Sequence, residues 1–264
     1  MPVTKSLQHP GSGAVGVLGL FLLLLPWGLP AQGGGDPEAL QLLRKSEALM
    51  RGGGSAGTYR VQIVRPDWER ELRLRSIDDA AHDRYRLEML KPRKVKGTIF
   101  LKKAGKLSMY LPKLKREIGI SPAMMHDPWM GSDFNNQDLM ESAALIDQYE
   151  HRIKGRDGDV LSIESIPKPE AAVSWMRLEQ RIRDDGVPLS IHYHCKKDAR
   201  ARILRFEQPR LMGGRLIPTR WIMQPLAKPD QHTLIEIEEI RFDVTPDDSL
   251  FEMETAKDKS TPSS

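Results

Sequence analysis

The residues best suited to chemistry lie in one short stretch, where His192, His194 and the single cysteine, Cys195, fall within four positions. On a β-strand the side chains alternate between faces, so the two histidines face one way and the cysteine faces the other. Two imidazoles could begin a zinc site, but the third ligand would have to come from a neighbouring strand. A metal-dependent hydrolase is therefore one hypothesis, and a half-exposed strand is the simpler interpretation.

Two other groups contain residue types that are used in acid–base or nucleophilic catalysis. His126 adjoins Asp127, and Ser132 lies between Gly131 and Asp133. A nucleophile elbow requires a second glycine two positions after the serine, and the sequence has none there. No nucleophile or oxyanion donor can be assigned to the histidine. We therefore predict loops at both places, with no catalytic residue, no metal and no cofactor.

The stretch Trp129–Leu139 combines turn-forming residues with large apolar side chains. Short polar side chains after a glycine stabilise a turn by hydrogen bonding to nearby backbone amides. An asparagine followed three residues later by a carboxylate is typical of a helix start, where the carboxylate meets the positive end of the helix dipole. The pattern predicts a turn and a capped helix from Asn136 to about Ile146, fixed by Gly131, Ser132, Asp133, Asn135 and Asp138.

Segments with a period of two flank this stretch on both sides. In Arg84–Leu90, for example, basic or acidic residues alternate with large apolar ones. About a dozen such segments follow one another at hairpin spacing, separated by turns such as Lys102–Gly105, Lys196–Asp198 and Met212–Gly214. The pattern predicts a mainly β protein with helices, in which an antiparallel meander has one apolar face.

A second helix is predicted over Pro37–Met50, with Asp36 as its cap and proline at its first position. A sheet with one apolar face must close on itself, stack on a second sheet or be covered by helices. Two helices are too few to fill the concavity of so wide a sheet. The sequence therefore predicts an unfilled apolar space.

The segments Tyr110–Arg116, Met130–Phe134 and Asp138–Leu139 resemble the LolA-like family of outer-membrane lipoprotein-sorting proteins. The resemblance extends over most of the chain after its first 31 residues. It implies an incomplete antiparallel β-barrel with helices covering the concave apolar face, a cavity that accepts acyl chains, and an RND-type exporter as a transporter partner. The Met-Gly-Ser-Asp-Phe block departs from the best-known lipoprotein carriers, so lipid cargo is as well supported as lipoprotein cargo.

With this resemblance, the apolar side chains of the central stretch become candidates for the wall of a lipid cavity. Methionine suits such a wall because its unbranched thioether adapts to irregular shapes. The alternative is that these residues pack the core beneath a loop. The predicted cavity residues are Trp129, Met130, Phe134, Leu139 and Met140, together with Leu72, Leu87, Ile99 and Leu101.

The first 31 residues predict a cleaved signal peptide, with Lys5 followed by an almost wholly apolar run and then by small residues. Pro26 interrupts the run, which is short for a membrane span, so cleavage is favoured over an N-terminal anchor. One domain is predicted over residues 36–254, followed by a polar, disordered tail over 255–264. The predicted location is the periplasm.

The charge of the chain limits the classes of partner that it is expected to bind. The chain of 264 residues contains 40 basic and 36 acidic ones, for a formal net charge of +4. In an exported protein this mixed surface argues against nucleic acid and favours transient contact with a membrane. Basic residues are dense from Lys91 to Arg116, either as solvated strand faces or as a docking patch for an acidic partner or lipid headgroups. Because Cys195 is the single cysteine, its thiol is expected to be buried or paired outside the chain.

These observations predict a non-catalytic periplasmic carrier that binds acyl chains of lipids or lipoproteins and transfers them between membranes. The competing hypothesis is a cell-envelope scaffold with a filled core that binds a partner through its basic face.

Overall fold

The computed structural model describes residues 35–141, 144–171, 173–195 and 200–253. The predicted signal peptide, the predicted tail and the predicted turn at Lys196–Asp198 lie outside these residues. All the described residues belong to one compact unit.

Thirteen strands form one antiparallel sheet. Along the chain they are β1 Ser55–Arg65, β2 Trp68–Asp79, β3 Arg84–Lys91, β4 Ile99–Lys103, β5 Lys106–Leu111, β6 Arg116–Gly119, β7 Tyr149–Asp157, β8 Val160–Pro167, β9 Arg177–Arg183, β10 Pro188–His194, β11 Arg200–Met212, β12 Arg215–Pro225 and β13 His232–Phe242. Tight turns join several neighbours, as at Ala104-Gly105 and Gly213-Gly214, where both residues have positive φ. The predicted mainly β fold with an antiparallel meander is confirmed.

The sheet is open, and its strand order explains how one face becomes covered. The order is β6-β5-β4-β3-β2-β1-β13-β12-β11-β10-β9-β8-β7, so β1 pairs with β13 at the centre and β6 and β7 form the two edges. The chain between β6 and β7 must therefore travel from one edge of the sheet to the other. This segment, residues 120–148, is called the crossing segment below.

The helices are α1 Pro37–Arg51, α2 Asn136–Glu141 and α3 Ala144–Gln148. Asp36 caps α1, since its carboxylate accepts a 3.0 Å hydrogen bond from the Glu38 amide. The single helix predicted from Asn136 is in the structure two short helices, on either side of residues 142–143, which are not described. None of the described helices combines the length and apolar character needed to span a membrane.

The buried side chains form several clusters rather than one continuous core. The face of α1 that carries Ala39, Leu42 and Leu43 packs on Leu161, Ile163 and Ile182 of β8 and β9. A second cluster contains residues of strands β1 through β5 together with Trp129. A third contains residues of β7 and of strands β9 through β12. Apolar clusters that are separated along a curved sheet leave room between them, and this is where the candidate site lies.

Two local expectations need correction. The four residues of β6 were not predicted as a strand because all four are exposed and show no apolar alternation. Cys195 is exposed, so of the two alternatives for its thiol burial is wrong, and pairing outside the chain stays a prediction.

Candidate functional site

A cavity of about 420 Å³ lies between the sheet, α1 and the crossing segment. Its wall is mainly apolar and draws on both halves of the sheet. The apolar and aromatic lining residues are Leu43, Met50, Tyr59, Val61, Leu74, Tyr85, Leu87, Trp129, Phe134, Leu139, Ile146, Ile191, Tyr193, Leu204, Phe206, Trp221 and Ile235.

The lining residues follow from strand geometry. They occur as pairs two positions apart, such as Tyr85 with Leu87 and Leu204 with Phe206, because side chains two apart on a strand share a face. Residues directly opposite on neighbouring strands also share a face, as Phe206 and Trp221 do. The rings of these two residues meet edge to face with centroids 6.0 Å apart. The strand residues of the wall thus belong to one continuous face of the sheet.

Four of the nine predicted cavity residues line this space: Leu87, Trp129, Phe134 and Leu139. Leu72, Met130 and Met140 instead pack in the cluster around Trp129, as the core-packing alternative expected. Met124 and Met125 pack there as well.

The remaining two predicted residues, Ile99 and Leu101, do not border the cavity. In the register of β3 and β4, Leu101 lies opposite Arg86 and Ile99 opposite Glu88. They therefore share the face of these charged residues, while Phe100 and Lys102 share the face of the cavity residues Leu87 and Tyr85. Alternation alone shows that a strand has two faces, but the pairing register decides which face turns inward.

Sequence analysis missed the contribution of β10 to β13, namely Ile191, Tyr193, Leu204, Phe206, Trp221 and Ile235. The signal was present as apolar and aromatic pairs two residues apart. These strands were recognised, but their apolar faces were not assigned to the cavity.

One end of the cavity is polar. Arg51, the last residue of α1, binds Asp78 of β2 through two hydrogen bonds of 2.8 Å, and its guanidinium lies 3.3 Å from Glu47. The hydrogen bond to Asp78 raises the pKa of Arg51. Burial, reinforced by the negative charge of Asp78, raises the pKa of the nearby Tyr59 and Tyr85 hydroxyls. Both phenols are therefore neutral at physiological pH and unsuited to act as bases.

A second, polar pocket of about 520 Å³ adjoins this end and shares Glu47 and Arg51 with the cavity. Its other charged lining residues are Arg44, Asp83, Lys102 and Asp147. Lys102 is held in place because its ammonium lies 2.6 Å from an Asp83 carboxylate oxygen and donates to the Met140 carbonyl at 3.1 Å. The apolar cavity thus borders a polar pocket that carries charges of both signs.

The Gly-Ser-Asp turn of the crossing segment is anchored to the centre of the sheet. Asp133 accepts a hydrogen bond of 2.7 Å from the hydroxyl of Thr233 in β13 and one of 3.1 Å from Arg65 in β1. Arg65 also donates to the Gly131 carbonyl at 2.8 Å. Gly131 has a φ of +80°, a conformation that favours glycine. These contacts hold the turn at the junction of β1 and β13.

The start of α2 is anchored to β11. Asp138 and Asn135 form a reciprocal cap, in which the side chain of each accepts a 2.8 Å hydrogen bond from the backbone amide of the other. Arg202 of β11 donates to both carboxylate oxygens of Asp138, at 2.9 Å for one of them. The Arg202 guanidinium also lies over the rings of Trp175 and Tyr193, at 4.4 and 4.5 Å from their centroids.

The local sequence of this turn and cap pointed to a structural role, but the sequence did not reveal Arg65, Arg202 or Thr233 as partners. Each lies more than sixty positions away in the chain. No short-range pattern identifies such partners, because they are set by the strand pairing.

The histidines and the serine that the sequence offers for metal binding or catalysis have the following surroundings. Nδ1 of His194 lies 3.1 Å from the Arg177 guanidinium, and its Nε2 lies 3.3 Å from the Glu179 carboxylate. His126 is exposed, and Ser132 forms hydrogen bonds of 3.2 Å with the Phe134 backbone. In the described part of the chain no three histidine, cysteine or acidic residues are grouped so that they could hold a metal.

The sequence was compared with known families and proteins. A family model described as an uncharacterized protein matches residues 81–257, more than half of the chain. No curated protein matches the sequence.

Solved structures with the same fold cover most of the chain. A DUF1329 family protein from Desulfovibrio piger superposes with a TM-score of 0.73 at 21% identity, over 83% of this chain and 98% of that one. A putative outer membrane lipoprotein-sorting protein domain from Vibrio parahaemolyticus gives 0.68 at 20% identity, over 81% and 96%. A LolA superfamily protein from Nitrosomonas europaea gives 0.67 at 15%, over 81% and 97%. The fold is therefore LolA-like, as the sequence resemblance predicted.

Proposed function

Since the chain belongs to the uncharacterized family whose model matches residues 81–257, and since its fold is LolA-like, we propose that it is a periplasmic carrier. In this proposal it binds acyl chains of lipids or lipoproteins in its cavity and transfers them between membranes. An exporter in the membrane is the partner that delivers or receives the cargo.

The observation that carries the proposal is the mainly apolar cavity beneath the crossing segment. Its volume of about 420 Å³ lies in the range of roughly 300–1,000 Å³ that is typical of small-molecule sites. Aliphatic and aromatic side chains from both halves of the sheet line it, and polar residues are confined largely to the end at Arg51 and Asp78. This distribution suits an amphiphile whose tail lies among the apolar side chains.

Transfer of an acyl chain between the carrier and a membrane needs no catalytic group. Hiding an acyl chain from water gains about 0.8 kcal/mol for each methylene. A bilayer provides the same gain, so the free energy of the acyl chain is nearly the same in the carrier and in the membrane. A carrier therefore requires an apolar space of suitable size and a path into it, and both can be provided by a sheet, a helix and a crossing segment.

The names of the structural neighbours support the cell envelope as the location. One neighbour is named for outer membrane lipoprotein sorting and another for the LolA superfamily. These names favour lipoproteins or lipids as the cargo class.

The proposal is tested by native mass spectrometry of the protein purified from the periplasm, followed by lipid extraction. The Phe134→Asp variant places a charge in the cavity wall, and Leu211→Asp is its matched control because Leu211 is 77% exposed outside the cavity. We expect phospholipid or lipopeptide to accompany the wild type and the control and to be absent from the folded Phe134→Asp variant. Circular dichroism establishes that both variants are folded.

Absence of lipid from all three proteins, with no uptake when lipids are supplied, would contradict the carrier and favour the scaffold hypothesis. Retention of lipid by the Phe134→Asp variant would place the lipid outside this cavity.

A further inference from the structure

Two loops at the β6 side of the sheet lie against each other. The first runs from Lys91, the last residue of β3, to residue 98, and the second runs from residue 112 to Arg116, the first residue of β6. Because β3 and β5 both run antiparallel to β4, both loops emerge at the same end of the sheet. A methyl group at Gly97 in the first loop would lie 3.4 Å from Cγ of Pro112 in the second. We call these two loops the basic loop pair.

The basic loop pair concentrates positive charge on the surface. Its seven basic residues are all exposed, and Glu117 is the nearest acidic residue in the sequence. None of the seven takes part in an ion pair with another described residue. They are Lys91, Arg93, Lys94, Lys96, Lys113, Lys115 and Arg116.

Part of the surface elsewhere on the sheet carries paired charges. Arg73 of β2 donates to Glu238 of β13 at 2.6 Å, and Arg156 contacts both Glu38 and Asp184. Other exposed arginines, such as Arg75 and Arg241, form no ion pair with a described residue, so the basic loop pair differs by the number of basic residues in two adjoining loops. The basic loop pair has an excess of positive charge and is suited to an anionic surface.

An exposed apolar side chain lies among these charges. Leu114, between Lys113 and Lys115, is 61% exposed. Trp68, 42% exposed at the start of β2 at the same end of the sheet, is flanked by the exposed residues Asp67 and Glu69 and is not part of this patch. An exposed leucine between two lysines can enter an apolar layer while the basic side chains stay at the level of lipid headgroups.

We propose that the basic loop pair docks the protein on an anionic phospholipid surface, with Leu114 entering the headgroup region and the basic side chains binding lipid phosphates. This inference goes beyond the carrier function and does not depend on an occupied cavity. The chemistry that selects the partner is negative charge combined with an apolar layer directly beneath it.

The test is co-flotation of the folded protein with vesicles, either of phosphatidylcholine alone or of phosphatidylcholine mixed with phosphatidylglycerol. We expect binding to the mixed vesicles and little binding to phosphatidylcholine. We also expect the binding to weaken as salt is raised, because surface charges are screened beyond a Debye length of about 8 Å at physiological ionic strength.

Charge-matched variants locate the surface. The double variant Lys113→Ala with Lys115→Ala is expected to lower partitioning about thirtyfold, from the contribution of each basic residue near an anionic surface. Its control is Arg152→Ala with Lys154→Ala, which removes the same charge from exposed positions on β7, the opposite edge of the sheet. The control is expected to bind nearly as the wild type does.

The apolar contact has its own pair of variants. Leu114→Ser is expected to weaken vesicle binding several-fold, and Leu211→Ser, at a more exposed leucine of the β11–β12 hairpin, is expected to leave it unchanged. The Phe134→Asp variant should float with the anionic vesicles as the wild type does, which separates docking from cargo binding. Equal binding to both kinds of vesicle, or equal losses in the loop variants and their controls, would overturn the proposal.

Discussion

The crossing segment is attached to the sheet by two aspartates that lie five positions apart and serve different purposes. Asp133 binds Arg65 and Thr233 at the centre of the sheet and fixes a turn. Asp138 binds Arg202, and it also borders the cavity together with Tyr193, on whose ring the arginine lies. The first attachment positions the segment, and the second builds part of the cavity wall.

The two anchors hold the crossing segment over the cavity without filling it. The attachments lie at residues 133 and 138, and the side chains next to them, Phe134 and Leu139, face the cavity. These polar contacts attach the segment beside the cavity, and Trp129, Met130 and Met140 of the same segment pack on the apolar cluster of β1 to β5. Variants that break one attachment at a time should show different effects on stability and on cargo binding.

The largest effect is expected for Arg202→Leu. The change leaves the Asp138 carboxylate, which is 13% exposed, without its charged partner, and breaking a buried pair in this way costs about 3–5 kcal/mol. Urea denaturation measures the loss, and acyl-chain binding should fall with it. Arg202→Leu combined with Asp138→Asn should recover part of the stability, and equal losses in the single and double variants would contradict the pairing.

A smaller effect is expected for Asp133→Ala, because Arg65 keeps hydrogen bonds to the backbone carbonyls of Val64, His232 and Gly131 when the carboxylate is removed. Loss of its hydrogen bonds leaves Arg65 and Thr233 without a partner at this position and should cost about 1–3 kcal/mol. Lipid binding by the remaining folded protein should stay within about twofold of the wild type. A selective loss of lipid binding without a loss of stability would show that the two anchors do not differ as described.

Gly131→Ala is expected to have an effect of about 1–2 kcal/mol, because an alanine at a φ of +80° is strained. The nearest atom that a methyl group would meet is Nη1 of Arg70 at 3.6 Å, so the cost comes from the backbone conformation and not from a clash. Thermal unfolding measures the effect. A matched change, Gly119→Ala, meets nothing within 4 Å and is expected to be nearly neutral.

The smallest effect is expected at a third attachment of the crossing segment, in α3. His151 donates to the Ile146 carbonyl at 2.8 Å and accepts from Ser165 at 2.8 Å. Burial lowers the pKa of His151, so the unfolded chain binds its proton more readily. This contribution to stability is complete above the unfolded pKa of about 6.5 and is lost as the pH falls below it, at no more than about 1.4 kcal/mol per pH unit.

Denaturation between neutral and mildly acidic pH checks this dependence. His151→Gln should make stability less dependent on pH in this window, and His126→Gln, at an exposed position, should leave the profile unchanged. An unaltered profile in the His151 variant would assign the dependence to other groups.

The parts of the fold that were predicted from sequence are those set by local chemistry. The cap formed by Asn135 and Asp138 joins neighbouring residues, and the strands carry their own period, so both are visible in a single sequence. The LolA-like fold followed from motifs in the central stretch.

The parts that were not predicted depend on pairing between distant strands. Leu87 borders the cavity, whereas Ile99 lies on the other face because it is registered with Glu88. Arg202 could be recognised as a partner of Asp138 only after β11 had been placed. A sequence shows that a strand has an apolar face, whereas the sheet determines what that face contacts.

The most direct test of the carrier is photocrosslinking with a phospholipid that carries a diazirine at the end of an acyl chain. If the cavity holds acyl chains, we expect crosslinks to the cavity wall formed by the second half of the sheet, in peptides containing Tyr193, Phe206 or Trp221. Competition by unlabelled lipid should remove them. Crosslinks confined to the other face of the sheet, for example at Ile99, or none above background, would contradict the claim that the cavity holds acyl chains.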